Sequence, residues 1–306
     1  ECQRVLDRLT AASGFDLVQF EFSQMGGYGV RSALPTVIDV HNIEHDLMRG
    51  MASTGSSARR LFNAIEYRKF RREELAAWRH ASYCVATSSK DAAVVSWFTG
   101  GDVPVIPNGV DLDYFKPTSM DRSKSGTIAF VGAMRYRPNA EGARYFAERV
   151  FPSIIQSIPN ATFTVVGADP MPEVFALASV AGVTVTGSVP DVRPWLESAQ
   201  VVVVPLLSGG GTRIKILEAF AAGRPVVSTT VGAEGIDVVD REHLLLADDP
   251  SDFADAVVEL MGNPALRDHL LSNALSLVLE RYQWSTIADR LSELHANLVQ
   301  SSQTSA

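Results

Sequence analysis

The sequence predicts an α/β protein built from two parallel-sheet units, and three observations predict it. Short runs of Val, Ile and Leu recur, as in VVVVP at 201–205, and they are nearly continuous rather than alternating. Strands buried on both faces of a helix-covered parallel sheet read this way. Each run is followed by a turn and then by a stretch of helical period, the grammar of βαβ units. The pattern occurs twice, on either side of a turn-rich segment, and 306 residues suit two ordinary domains.

The elements follow in order. The chain opens in helical period at Val5, Leu6 and Leu9, without an initiating Met. A fragment lacking its N-terminal segment, and so an incomplete first domain, is expected. Strands are predicted at 16–20, 36–40, 83–87 and 103–106, with a long helix over 57–80. PNGVDLDYFKPTSMDRSKSG (107–126) is rich in Pro, Gly, Asp and Ser and marks a connector. Strands follow at 128–132, 162–167, 183–187, 201–205 and 225–228, with a sixth at 244–247. Ala143, Phe146, Val150, Ile154 and Ile158 form a helical stripe at spacings of three and four. Helices at 264–281 and 284–299 close the chain before a tail, SSQTSA, expected to be disordered. The resulting divisions are 1–108, the connector 109–126, a second domain 127–283, and a final helix with tail over 284–306.

Composition narrows the function classes. A net charge of −8 disfavours nucleic acid, whose phosphates need a basic footprint. Two cysteines supply neither a disulfide framework nor metal-ligand spacing. The longest apolar run, near 201–207, is well short of the roughly 18–20 residues that span a bilayer. No charged-then-apolar leader is visible, and a cytoplasmic location is expected.

Ser208-Gly209-Gly210-Gly211-Thr212 follows a predicted strand and opens a helix. Glycines let backbone approach a ligand and take positive φ, and a helix N-terminus offers free N–H groups to phosphate. A flexible loop with Thr212 as N-cap is the bland alternative. Arg213 and Lys215 are expected in the first helical turn, where cations oppose the dipole by roughly 0.3–1 kcal/mol each. A bound anion turns that cost into an attraction. Lys215 and Glu218, three apart, share one helix face, while Ile214, Leu217 and Ala221 form the stripe expected to be buried.

The stretch VVVVPLLSGGGTRIKILEAFAAGRPVVS (201–228) resembles the donor-site segment of family 4 retaining glycosyltransferases of the GT-B fold, which have two Rossmann-like domains. PVIPNGVDLDYFKP, FVGAMRYRPNAEGARYF and GVTVTGSVPDVRPWLESA agree in order and spacing. The likeness covers about 36–298. It implies a nucleotide-diphosphate-sugar donor, an acceptor hydroxyl on a glycan, lipid-linked or polysaccharide precursor, front-face displacement with retention, and independence of metals. Donor binding is expected at Gly132, Arg135, Arg137, Gly209, Gly210, Gly211, Thr212, Arg213, Lys215 and Glu218, with Glu218 on the ribose. The family's first donor-site Glu falls at Gly210, so this chain resembles the subgroup with a Gly-Gly-Gly-Thr-Arg loop. A nucleotide-sugar epimerase of the same plan, and a non-catalytic nucleotide-binding fragment, are the rival readings.

His41 ends a predicted strand at the carboxyl edge where open α/β sheets bind ligands. The resemblance places a histidine there facing the reacting centre, so His41 is the expected catalytic residue, with His45 a weaker candidate. The 57–80 helix carries Arg59, Arg60, Arg68, Lys69, Arg71, Arg72 and Arg79, with Leu61, Ile65, Phe70, Leu75 and Trp78 expected on a packed side. A basic amphipathic helix also suits an anionic, peripheral membrane contact at the inner face. Asp111-Leu112-Asp113 has metal-pair spacing but lies in the connector and reads as a turn.

Overall fold

The computed structural model describes residues 1–306 except 13, 31–33, 47–48, 50–56, 121–122 and 305–306. It divides into two compact units. One holds Glu1–Asn108, Gly210–Thr212 and Ser285–Ala306; the other holds Gly109–Gly209 and Arg213–Trp284.

The first unit is a parallel sheet of β1 (Val18–Glu21), β2 (Thr36–Val40) and β3 (Tyr83–Ala86), in that order. Val37, Ile38 and Val40 on the central strand are buried because both faces are covered. The strand expected at 103–106 does not form. Only the bridge Ala86–Val105 reaches β3. Pro104 has no N–H to extend a ladder, although its carbonyl accepts from the Ala86 amide. Helices α1 (Cys2–Ala11), α2 (Ser57–His80) and α3 (Ser89–Thr99) flank the sheet in sequence. Ser88 caps α3 by accepting from the Asp91 amide at 3.1 Å, and Gly100 ends it at φ +73°.

The apolar side expected of α2 exists only in its second half. Trp78 is buried, whereas Leu61, Phe62 and Ile65 are exposed.

The second unit is a six-stranded parallel sheet of order β6-β5-β4-β7-β8-β9. Its strands are β4 (Thr127–Val131), β5 (Thr162–Val166), β6 (Val183–Val185), β7 (Val201–Val204), β8 (Val226–Ser228) and β9 (Leu245–Leu246). The stripe from Ala143 to Ile154 is buried, but it spans three segments: α4 (Arg137–Tyr145), a π-helical turn (Phe146–Val150) and α5 (Phe151–Ser157). Pro152 cannot donate back into an α ladder, and the wider turn before it accommodates this. Phe146 anchors the core, 4.5 Å from the Phe163 ring and 5.7 Å from that of Phe253.

Short helices α6 (Pro172–Phe175) and α7 (Arg193–Ser198) precede α8 (Ile214–Ala221), α9 (Pro250–Gly262) and α10 (Pro264–Leu277). Fully buried Arg224 binds the connector. Its Nη2 donates to the carbonyls of Thr118 at 2.7 Å and Ser119 at 3.0 Å. The Asp111 carboxylate accepts from the amides of Asp113 and Tyr114 at 2.9 and 3.0 Å, closing a turn.

The last helix, α11 (Trp284–Thr304), seats Ile287 and Leu298 with Val37, Val85 and Ile106 of the first unit. It continues through 301–304, part of the tail expected to be disordered; the hydroxyls of Ser301 and Ser302 donate to carbonyls four residues back. Residues 305–306 of the expected tail lie outside the described residues.

Candidate functional site

In the second unit β4 lies between β5 and β7, the point where strand order reverses. Open α/β sheets bind ligands outside the carboxyl ends of the strands at such a point. Glycine keeps this crevice open. Gly167 follows β5 at φ +153°, and a Cβ there would stand 1.7 Å from the carbonyl oxygen of Gly132. Gly132 follows β4, and a Cβ on it would stand 2.8 Å from both Lys215 Nζ and Asn139 Nδ2.

Lys215 is the second residue of α8. Its Nζ donates to Asn139 Oδ1 at 2.6 Å and lies 4.6 Å from the centroid of Phe130. Asn139 Nδ2 in turn donates to the Ala133 carbonyl at 2.9 Å, which orients the amide. Loss of hydration, reinforced by the Arg213 charge and opposed by Glu218, lowers the Lys215 pKa to about 7. Burial also raises the pKa of Glu218, with Lys215 opposing. Such an ammonium has room for one more anionic partner, and a diphosphate is of the right chemistry.

Arg213 is not in the first helical turn as the sequence suggested; it occupies the N-cap position with φ −85° and ψ 67°. It is buried, burial lowers its pKa, and its Nη2 reaches the Val231 carbonyl at 3.4 Å. Gly209, at φ +126°, lies against this guanidinium: a Cβ there would stand 3.3 Å from Nη2. Gly211 also takes positive φ, at +75°, so two of the three loop glycines use their freedom. Thr212 is not the N-cap, and its Oγ1 is buried with no hydrogen-bond partner among the described residues. The buried face of α8 is Ile216, Leu217, Ala219, Phe220 and Ala221, whereas Ile214 is exposed, contrary to the sequence stripe.

The structure thus brings Gly132, Lys215, Arg213, Glu218 and Gly209 to one end of the sheet. Arg135 and Arg137 sit differently. Both are exposed and ion-paired at the surface, Arg135 to Asp169 at 3.4 Å and Arg137 to Glu141 at 2.7 Å. Asn139 was missed in the sequence; a buried polar residue in an otherwise apolar helix face was its only signal.

In the first unit His41 follows β2. Its Nε2 lies 2.8 Å from Glu21 Oε2 and 3.8 Å from Asp39 Oδ2, and its ring stacks on Phe22 at 4.3 Å. His45 is separate and structural: it is buried, with Nδ1 2.7 Å from Glu74 Oε2, and that carboxylate also accepts the amides of Glu44 and His45.

Two parallel-sheet units and a crevice of this kind define an α/β protein of the GT-B fold. Within it, residues 125–263 match the family described as "Glycosyl transferases group 1". The chain is 28% identical over 211 residues to phosphatidyl-myo-inositol mannosyltransferase of Mycobacterium leprae, which covers 66% of this chain and 55% of that protein. It spans about half the length of the curated relatives it matches. Among solved structures, sucrose-phosphate synthase of Thermosynechococcus elongatus superposes with a TM-score of 0.75 at 21% identity, covering 98% of this chain and 78% of that one. Anabaena HepE, solved in complex with UDP, superposes with a TM-score of 0.71 at 15% identity, covering 96% and 81%. No helix among the described residues is long and apolar enough to cross a membrane.

Proposed function

We propose that the protein is a hexosyltransferase-type glycosyltransferase that moves a sugar from a nucleotide-diphosphate-sugar to an acceptor hydroxyl, with retention and without a metal at the diphosphate. The observation that carries this reading is Lys215 Nζ, enclosed at the switch point beside Gly132 and at the N-terminus of α8. Breaking the sugar–phosphate bond places negative charge on the leaving diphosphate. An ammonium and a helix N-terminus already aimed at that charge stabilise it without reorganisation. Buried Arg213 adds positive potential, and Glu218 is the acceptor for ribose hydroxyls. Gly210, Gly211 and Thr212 contribute backbone amides, Arg135 and Arg137 the outer donor contacts, and His41 serves the acceptor. Relatives support the reading: the mycobacterial protein is named as a mannosyltransferase, and HepE is solved with UDP.

The test is a thermal-shift panel of UDP, GDP and ADP sugars, followed by product analysis with and without acceptor alcohols. One nucleotide series raises the melting temperature, and the Arg213→Ala/Lys215→Ala double variant loses the shift. A panel with no response refutes the reading, and sugar conversion without any acceptor favours an epimerase.

A lipid-linked acceptor is favoured by one surface. Leu61, Phe62 and Ile65 are exposed on α2, within the same helix as Arg68, Lys69 and Arg72. Apolar side chains among cations suit the interface of an anionic bilayer. Co-sedimentation with phosphatidylglycerol vesicles at low salt is expected, and equal recovery with neutral phosphatidylcholine vesicles refutes the electrostatic part.

A further inference from the structure

We propose that Glu21 is the positioning residue of His41, holding its Nε2–H so that Nδ1 stays open to an acceptor hydroxyl, and that Gln19 and His295 hold Glu21 in turn. The proposal rests on the reading that His41 serves the acceptor. The backbone sets up the contact. Glu21 and Asp39 are register partners on the parallel strands β1 and β2, and His41 lies two residues beyond Asp39, just past the strand end. Side chains two apart in extended chain share a face, which brings the β1 carboxylate and the imidazole together at the carboxyl edge of the sheet. His41 Nε2 lies 2.8 Å from Glu21 Oε2 and 3.8 Å from Asp39 Oδ2, so Glu21 is the carboxylate within hydrogen-bond reach.

Donor and acceptor chemistry fixes the direction of each bond in this row. A carboxylate only accepts, so the Nε2 beside it carries the hydrogen, and the neutral ring keeps its lone pair on Nδ1. Burial of Glu21 raises its pKa, but the hydrogen bonds from His41 and Gln19 outweigh that and hold the carboxyl below its ordinary range. Gln19, two residues earlier on β1, donates from Nε2 to Glu21 Oε1 at 2.8 Å. That leaves its Oε1 facing His295 Nε2 of α11 at 2.7 Å, and an amide oxygen cannot donate, so His295 does. Both oxygens of Glu21 are thus engaged, one by His41 and the other by a brace that reaches back to the last helix.

Two further observations separate this pair from a purely structural one. The imidazole is also held on its face, stacking on Phe22 at 4.3 Å with 28° between the planes. Phe22 reaches that place with φ at 67°, a strained conformation for a bulky residue, and its amide donates to the Asp39 carbonyl at 3.0 Å. Such strain persists where the surroundings over-determine the geometry, and it clusters at functional sites. Nδ1, by contrast, has no hydrogen-bond partner among the described residues and is not an enclosed atom. His45 shows the other arrangement. It too meets a glutamate, at 2.7 Å, but that pair is buried and Glu74 also accepts two backbone amides, as a structural support does. A ring fixed by edge and face, with one nitrogen left open, is pre-oriented for a ligand hydroxyl, and orientation of a reacting group is worth orders of magnitude in rate.

The test uses the full chain labelled with ¹⁵N-histidine. Hydrogen-bonded ring N–H protons of His41 and His295 exchange slowly with water and are expected as downfield cross-peaks, assigned with His41→Ala and His295→Ala. Glu21→Ala removes the His41 peak, whereas Glu21→Gln, which keeps a carbonyl oxygen for Nε2–H, retains it. Gln19→Ala removes the His295 peak. Release of nucleoside diphosphate from the sugar nucleotide that the thermal-shift panel selects, with glycerol as acceptor, falls about tenfold or more in Glu21→Ala through kcat and recovers in part in Glu21→Gln. In a His41→Ala background Glu21→Ala costs nothing further, because Glu21 acts through His41. A His41 ring proton that survives Glu21→Ala, or losses that add in the double variant, overturns the proposal. The ring-proton signals need no nucleotide, so failure of the donor reading and failure of this contact are read separately.

Discussion

Replacing Lys215 by Met removes the charge and keeps the stem that lies over Phe130. In the wild type burial lowers the Lys215 pKa from 10.5 to about 7. At about 1.4 kcal/mol for each pH unit, keeping this ammonium charged costs the fold on the order of 5 kcal/mol at pH 7 and below. Between pH 7 and 10.5 the unfolded chain holds the proton and the folded chain does not. Wild-type stability therefore rises with pH across that window, while below pH 7 both states are protonated and the cost is constant. Urea melts of wild type and Lys215→Met at pH 6, 8 and 10 are expected to show this slope only in the wild type, with the variant more stable at pH 6. Ligand binding reverses the ranking. A diphosphate beside Nζ raises its pKa, so nucleotide binding near pH 7 takes up about half a proton, read from calorimetry in buffers of different ionisation enthalpy. Loss of one charge-assisted contact of about 1.5–3 kcal/mol weakens nucleotide binding by roughly 10–150-fold in the variant. Equal pH slopes for the two proteins, or nucleotide affinity within twofold, refute the assignment of Lys215.

Three further outcomes are expected. Gly132→Ala places a Cβ 2.8 Å from Lys215 Nζ and Asn139 Nδ2, so the ammonium must shift; nucleotide affinity falls about tenfold or more at a stability cost of about 1–3 kcal/mol, and unchanged affinity by calorimetry counts against the crevice. Arg224→Met leaves the Thr118 and Ser119 carbonyls without their donor; urea melts should show a loss of about 2–5 kcal/mol, and a loss below about 1 kcal/mol refutes the anchoring role. Replacing Leu61, Phe62 and Ile65 by Ser removes exposed groups; melting should be nearly unchanged, while co-sedimentation with anionic vesicles is lost.

Much of the fold was legible because period and burial are written locally. VVVVP at 201–205 could only be a strand covered on both faces, and β7 is buried throughout. The 57–80 helix was bounded as the structure has it, yet the fate of its apolar residues was not legible. Helical period says which residues share a face, not whether another element arrives to cover it, and Leu61 and Ile65 stayed exposed while Trp78 was covered. Pro104 and Pro152 show the other limit: each alters an element by removing one N–H, reducing an expected strand to a single bridge in one case and widening a helical turn in the other.

The candidate sites divide in the same way. The run from Ser208 to Glu218 carries the expectation of an anion seat by itself, because consecutive glycines and early helical cations are unusual unless a ligand offsets their cost. Only the tertiary structure placed Gly132 against Lys215, supplied Asn139 as its partner and put Arg135 and Arg137 into surface ion pairs. Only it set Glu21 beside Asp39 and His41, since a parallel register joins residues that no sequence spacing connects. Local chemistry is encoded by neighbours along the chain, whereas the loss of hydration that moves Lys215 and strands an oxygen of Asp39 depends on what the fold brings from far away.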